Sequence, residues 1–397
     1  MVTNNEQNKL NVPHLRFPEF HGEWEKHGLS EYLDFKNGLN PDSKRFGKGI
    51  KFISVMDILN NPVITYDCIR ASVQATDAEI SSFSVEKGDI LFQRSSETLE
   101  DVGRANVYID DRVAVFGGFV IRGKKKANYN PLFFRYLLSS PYARKRIIPM
   151  GAGAQHFNIG QEGLSKVLLN FPSIEEQTKI ASLLHLLDER IATQSKLIEK
   201  LESLIKGIVD CTILRKEKNA IIGDVCSISE QIRAEANIDD IITVRLHGNG
   251  VCKSSAENLQ LGATQYYRRR AGQLIYGKQN FHNGAIGIVP ISLDNGITSK
   301  DIPSFDIDEI KCNSVYLLAQ LQSPQYYKPA EALTTGTGSK RLKEETFLKM
   351  PIVLPNKREQ DNIAVLIHRA SMNLDHAKRL LELLSIQKQF LLRQMFI

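Results

Sequence analysis

The sequence predicts an α/β protein built as a pseudo-two-fold tandem repeat. Two β-rich mixed domains are separated by two long helices, which pair with each other as an antiparallel intramolecular coiled coil. Three observations predict it. First, from Ser173 to Leu214 apolar residues fall alternately four and three apart: Ile180, Leu184, Leu187, Ile191, Ile198 and Leu201, continuing to Ile205 and Ile208, with Gln194 the polar member. Second, the start of that stretch, Phe171-Pro172-Ser173-Ile174-Glu175-Glu176-Gln177, returns about 183 positions later as Leu354-Pro355-Asn356-Lys357-Arg358-Glu359-Gln360. The same interval carries the first stripe onto Ile363, Ile367, Ala370, Leu374, Ala377, Leu381, Leu384 and Leu391, with Lys388 the exception. Third, the stretches before each long helix carry the same order of parts.

Strict 3.5-residue spacing keeps an apolar stripe on one side of a helix, where it packs along a partner helix. Pro172 and Ser173 suit a helix start, and Glu175 and Glu176 suit the positive end of its dipole. The resulting division is an arm and first domain over 1–172, a helix over 173–214, a second domain over 215–355 and a second helix over 356–397.

A chain of 397 residues with 42% hydrophobic content holds two or three packed domains. Its net charge of +6 suits a nucleic-acid partner without requiring one. Five cysteines, Cys68, Cys211, Cys226, Cys252 and Cys312, are odd in number and form no CxxC pair. That argues against a disulfide framework or a zinc site and for a reducing compartment, the cytoplasm. No apolar run is long enough to cross a bilayer, and there is no secretory signal.

The polar start, Thr3–Lys9, is expected to fray. Pro13-His14-Leu15-Arg16-Phe17-Pro18-Glu19-Phe20 cannot be a regular helix and reads as an extended arm that docks its two phenylalanines, or else as a local mini-core. In the first domain, Lys51–Met56, Gly88–Phe92 and Arg112–Phe116 are predicted strands. Asn130–Ile148 is a predicted helix that Ser140-Pro141 should break, and a strand over Lys166–Phe171 leads into the long helix. The second domain answers with strands at Ile241–Arg245 and Gly272–Tyr276, a helical stretch Asn313–Leu333 broken at Ser323-Pro324, and a strand at Met350–Leu354.

Catalytic patterns are missing. There is no GxxxxGK[ST] loop, no HExxH and no Asn-Pro-Pro-aromatic tetrad, and Phe116-Gly117-Gly118-Phe119 lacks the spacing of an S-adenosylmethionine loop. Asp306, Glu309 and Lys311 have the residue types of a nuclease site, but the segment reads as a charged loop without a counterpart in the first half. No metal or cofactor is expected. Binding chemistry remains. Arg94 and Ser95 follow one strand, as Lys278, Gln279 and Asn280 follow its mirror. Gln155 and His156 follow the glycine-rich loop Gly151–Ala154, as Lys340 and Arg341 follow Gly336–Ser339. Such side chains read base edges or hold phosphates. Tyr266-Tyr267-Arg268-Arg269-Arg270 adds a candidate phosphate clamp through Arg268 and Arg269, and Gly123-Lys124-Lys125-Lys126 is either another or a solvated turn.

The Pro13–Phe20 arm, the Pro172–Gln177 helix start and its echo at Pro355–Gln360 together resemble the specificity (S) subunit of type I restriction-modification enzymes, over essentially the whole chain. Leu187-Asp188-Glu189-Arg190-Ile191 matches that family's Leu-Asp-x-x-Ile, whereas Ala370–Leu374 and Arg358 depart from its pattern. The resemblance implies two target-recognition domains, each reading half of a bipartite site on double-stranded DNA. It also implies helices that bind methyltransferase (M) subunits, restriction/translocase (R) subunits joined through these, and no catalytic activity in the chain itself. The helices then act as a ruler for the spacer between half-sites, with off-seam residues such as Glu189, Lys196, Lys200 and Glu202 facing partners or solvent. Other readings are a stand-alone DNA-binding regulator or phase-variable relative, an enzyme acting on DNA, and a coiled-coil spacer between protein-binding domains.

Overall fold

The computed structural model describes residues 11–254, 264–336 and 340–397. The stretch Thr3–Lys9 and positions 337–339 of the second glycine-rich loop lie outside them. The chain forms two compact units, one of everything up to Gln194 with Leu380–Ile397, the other of Ser195–Arg379. The long helices Ile174–Val209 and Lys357–Gln394 are therefore each divided between the units. The division follows from packing, because each helix half joins the core of its own unit.

In the first unit a four-stranded antiparallel sheet has the order Leu33–Asn37, Val120–Lys125, Ile90–Gln93, Ala105–Val107. The second unit repeats it as Cys226–Ile228, Ser304–Ile307, Leu274–Tyr276, Ile286–Ile288. Beyond that sheet the units differ. The first adds a four-stranded sheet in which Phe46–Ile53 runs parallel to Ala114–Phe116. The second adds a three-stranded sheet centred on Tyr266–Arg268 and a hairpin, Ile242–Val244 with Val251–Lys253.

The broken helices form as the prolines require: Pro131–Ser139 then Pro141–Ile147, and Ser314–Leu321 then Pro324–Tyr327 followed by the 3₁₀ turn Lys328–Leu333. Three expectations are corrected. The strand at Lys51 ends at Ile53, because Ser54 caps a helix over Val55–Asn60 and Asp57 accepts its backbone N–H at 2.7 Å. That capping box outweighs the alternating pattern. Gly123, Lys124 and Lys125 belong to a strand rather than a turn, with Lys124 paired to Glu86 and Lys125 donating to the Tyr129 carbonyl. Asp306 also lies in a strand, where its carboxylate accepts from Ser229 and Gln273 at 2.9 Å each. Lys311 pairs with Asp308 instead.

The recurring glutamine has a structural reason. Gln177 is buried, accepts the Asn130 backbone N–H at 3.1 Å and donates to the Pro172 carbonyl at 3.0 Å. Gln360 does the same with Asn313 at 2.9 Å and Pro355 at 2.8 Å. One amide thus fastens the start of each long helix to the N-cap of the short helix in its own domain. Asn130 and Asn313 in turn accept from the first turn of those short helices, which satisfies donors that a helix end leaves open.

The helix halves pair antiparallel within each unit. In the second, Glu202 meets Lys378 at 2.8 Å, Val209 shares a cluster with Ile363 and Ile367, and Lys216 pairs with Glu359. In the first, the Leu15 N–H donates to the Gln394 carbonyl while Arg16 forks onto the buried Glu176 at 2.8 and 2.7 Å, and further along Asp188 meets Lys388. Of the seam, Ile180, Leu184, Leu187, Ile363, Ile367 and Leu384 are buried. Ile191, Ile198, Leu201, Leu374 and Leu381 are half-buried. Lys388, the polar break in the stripe, lies 2.5 Å from Asp188, which also accepts from Arg135 at 3.1 Å and Tyr136 at 2.9 Å. Burial pushes the Asp188 carboxyl up, but Lys388, Arg135 and Tyr136 outweigh it and hold it below the usual carboxylate range.

Candidate nucleic-acid interface

The first unit assembles its candidate residues where the strand Ile90–Gln93 leaves the central sheet. The Arg94 N–H donates to the Phe119 carbonyl and the Ile159 N–H to the Arg94 carbonyl, both at 2.9 Å. Residue 94 is thereby held between two loops. Ser95–Ser96 then pairs with Phe157–Asn158, and Asn158 closes back on Ala152 through two backbone bonds of 2.9 Å. The turn between needs Gly153, at φ +143, because a Cβ there would sit 2.0 Å from the His156 carbonyl oxygen. Gln155 and His156 are exposed on this turn, so the structure brings them beside Arg94 and Ser95. Arg94 is half-buried and donates to the Gly118 carbonyl at 3.2 Å. The Ser95 hydroxyl donates to the Asn158 side-chain oxygen.

The second unit repeats the backbone ties of this framework around Lys278, although no strand pair like Ser95–Ser96 with Phe157–Asn158 recurs among the described residues. The Lys278 N–H donates to the Asp301 carbonyl, the Leu342 N–H donates to the Lys278 carbonyl, and Arg341 closes back on Thr335. Arg94 thus corresponds to Lys278, Phe119 to Asp301 and Asn158 to Arg341. The side chains differ. Lys278 is largely buried and paired to Glu344 at 2.7 Å, so its ammonium is withdrawn from the outer surface and the expectation of direct contact there is corrected. Burial works against the Glu344 charge, but Lys278 keeps that carboxyl below its ordinary value. Gln279 and Asn280 are exposed, although Asn280 is also tied into a turn with Asn283. Lys340 and Arg341 are exposed and face Glu331 and Asp301, each at 3.4 Å.

The basic run separates into opposite roles. Arg268 and Arg270 are exposed. Arg269 is fully buried, with its guanidinium donating to Thr298 at 2.7 Å and to Ser304 and the Ile302 carbonyl at 2.9 Å. Burial lowers its pKa to about 10. It braces the second unit's interior and is removed from the phosphate clamp. Arg268 opens onto a cleft shared with Arg233 and Lys253, but Glu235, Asp239, Asp240 and Asp294 line the same cleft. The field there is mixed in sign rather than a positive stripe.

Sequence reasoning missed Phe119, which is 69% exposed at the tip beside Arg94. It also missed Asn158 and Asp301. Carrying the 183-residue interval into the loops would have matched Asn158 with Arg341. A second missed feature is an exposed apolar face on the long helices, off the seam: Leu183, Leu186, Leu383, Ile386 and Phe390 in the first unit, and Leu197, Leu204, Val365, Leu366 and Met372 in the second. Among the described residues no His/Cys/Asp/Glu group is arranged to hold a metal ion, and no helix is long and apolar enough to cross a membrane.

Residues 21–203 match the family of the type I restriction modification DNA specificity domain. Among individual relatives, the putative type I restriction enzyme MjaX specificity subunit of Methanocaldococcus jannaschii is 24% identical over 192 residues, which are 47% of this chain and 44% of that protein. The match thus spans less than half of that relative's length. The type I restriction-modification S subunit from M. genitalium has the same fold, with a TM-score of 0.64, 14% identity, and coverage of 97% of this chain and 99% of that one.

Proposed function

We propose that this chain is the DNA sequence-specificity subunit of a type I restriction-modification complex. It binds a bipartite site, one half through residues 1–172 and the other through 215–355, and performs no chemistry itself. The observation that carries this reading is the repeated loop framework around Arg94 and Lys278, in which equivalent backbone positions present different side chains. A duplicated reader with altered contacts is what two unlike half-sites require. The long helices dock methyltransferase subunits, and restriction subunits join through these, all in the cytoplasm. The exposed apolar face that each unit carries off its seam supports the docking, since water-facing Leu, Ile and Phe at heptad spacing suit a further helix.

Methylome mapping of cells with and without this gene tests the reading, with a split motif lost on deletion as the expected result. Exchanging residues 21–172 for another domain of the family should change one half-site only. Inserting one heptad after Ile198, with a matching heptad after Leu381, should change the spacer and leave both half-sites intact. An unchanged spacer sinks the ruler.

A further inference from the structure

We propose that Arg341 and Asn158 are equivalent base-reading residues of the two domains, Arg341 selecting a guanine in one half-site and Asn158 an adenine in the other. This rests on the bipartite reading above and assigns chemistry within it. Their equivalence is set by backbone geometry. Each lies across a two-bond bridge, Arg341 with Thr335 and Asn158 with Ala152, immediately before a residue whose N–H is tied to the strand-end carbonyl of Lys278 or Arg94. Each side chain is at the surface and steadied by its neighbours. The Arg341 guanidinium meets the Asp301 carboxylate through one Nη at 3.4 Å, with both side chains about half exposed. The Asn158 side-chain oxygen accepts the Ser95 hydroxyl and its amide nitrogen donates to the His156 carbonyl at 3.4 Å, which leaves one lone pair and one N–H of the amide unused.

An arginine tethered at one nitrogen still offers its remaining N–H fork, which matches the O6 and N7 acceptors of guanine in the major groove. An asparagine amide offers one acceptor and one donor, which matches the N6 and N7 edge of adenine. The neighbouring cations are less suited. Lys278 is committed to Glu344, and Arg94 is half-buried on the Gly118 carbonyl. Asp301 is a positioning residue, since it acts through the orientation of Arg341.

The test uses the full chain in cells, with the methylome as readout. Arg341→Ala should relax one guanine position in one half-site, lowering discrimination there by roughly 5- to 150-fold. Asn158→Ala should relax one adenine position in the other half-site. Asp301→Ala should weaken the guanine preference by less than Arg341→Ala does, and Arg341→Lys should restore it only in part. Where a variant abolishes modification, binding of the purified assembly to duplexes carrying each base at each position decides. Equal loss on every duplex, or modification that declines with the motif unchanged, overturns the assignment and makes these residues phosphate contacts. A wild-type motif that is not split would defeat the bipartite reading instead.

Discussion

At the foot of each long helix the two units make the same bonds, and along the helix seam they do not. Gln177 and Gln360 make the same two bonds, and Glu176 and Glu359 each meet a basic residue from the segment preceding their domain, Arg16 or Lys216. Yet the first unit sets Asp188 against Lys388, where the 183-residue interval puts Ser371 and Ile205 in the second. The loops diverge in the same way, with Arg94, Phe119 and Asn158 against Lys278, Asp301 and Arg341. Buried backbone bonds must be satisfied in both copies, and a lost partner costs more than the bond contributes, so the joints are held fixed. Exposed side chains carry no such constraint and are free to specialise.

The largest expected effect breaks the asymmetry. Asp188→Ala strands Lys388 in a partly dry seam and should destabilise the first unit by about 3–5 kcal/mol in denaturant unfolding. Ser371→Ala should change the second unit by no more than about 0.5 kcal/mol. The sign with pH follows from the depressed Asp188 pKa. Its stabilisation is fully present above the unfolded carboxylate value and disappears as pH falls through the lower folded value. The stability gap between wild type and Asp188→Asn should therefore be constant at neutral pH and close only in strong acid. A gap that closes near pH 6 would contradict the assignment.

The next effect tests the symmetry. Gln177→Ala and Gln360→Ala each leave a backbone N–H of a domain cap without its partner. Each should cost roughly 1–3 kcal/mol, by similar amounts in the two units. Markedly unequal losses would show that the joints are less alike than their bonds. A smaller contrast lies between neighbours. Arg269→Ala should destabilise the second unit by roughly 1–3 kcal/mol by orphaning the groups around Ser304. Arg268→Ala should leave stability unchanged and, if Arg268 touches a phosphate, reduce the salt dependence of DNA binding by about one unit of slope. The smallest effect is chemical. Burial raises the thiols of Cys226 and Cys312 to about 12, whereas Cys211 is exposed. At pH 8 a thiol reagent should label Cys211 readily and reach Cys226 and Cys312 only when the second unit opens.

The spine was legible because a heptad stripe and a twice-used helix start are local patterns, and both long helices form close to where the periodicity puts them. The prolines at 131, 141 and 324 likewise begin helices where their missing N–H is harmless. What alternation could not show was partnership. Lys388 looks like a flaw in the stripe until Asp188, some 200 positions away, is seen opposite it. Arg268 and Arg269 are the same residue type one position apart, and only the second, just past the strand Tyr266–Arg268, meets Thr298, Ser304 and the Ile302 carbonyl inside the unit. Gln177 was conspicuous as part of a motif, but its task depends on where the Asn130 cap lies in space.

Translation makes the first long helix well before the second exists, so on a crowded polysome two copies of Ile174–Val209 meet while each still lacks its mate. In the register of the finished seam, Asp188 of one nascent chain would then face Ile205 of the other, keeping Arg135 and Tyr136 of its own domain but no ammonium across the seam. Such a pairing forgoes at both ends an ion pair that only the chain's own second helix supplies through Lys388, so the finished seam outcompetes it.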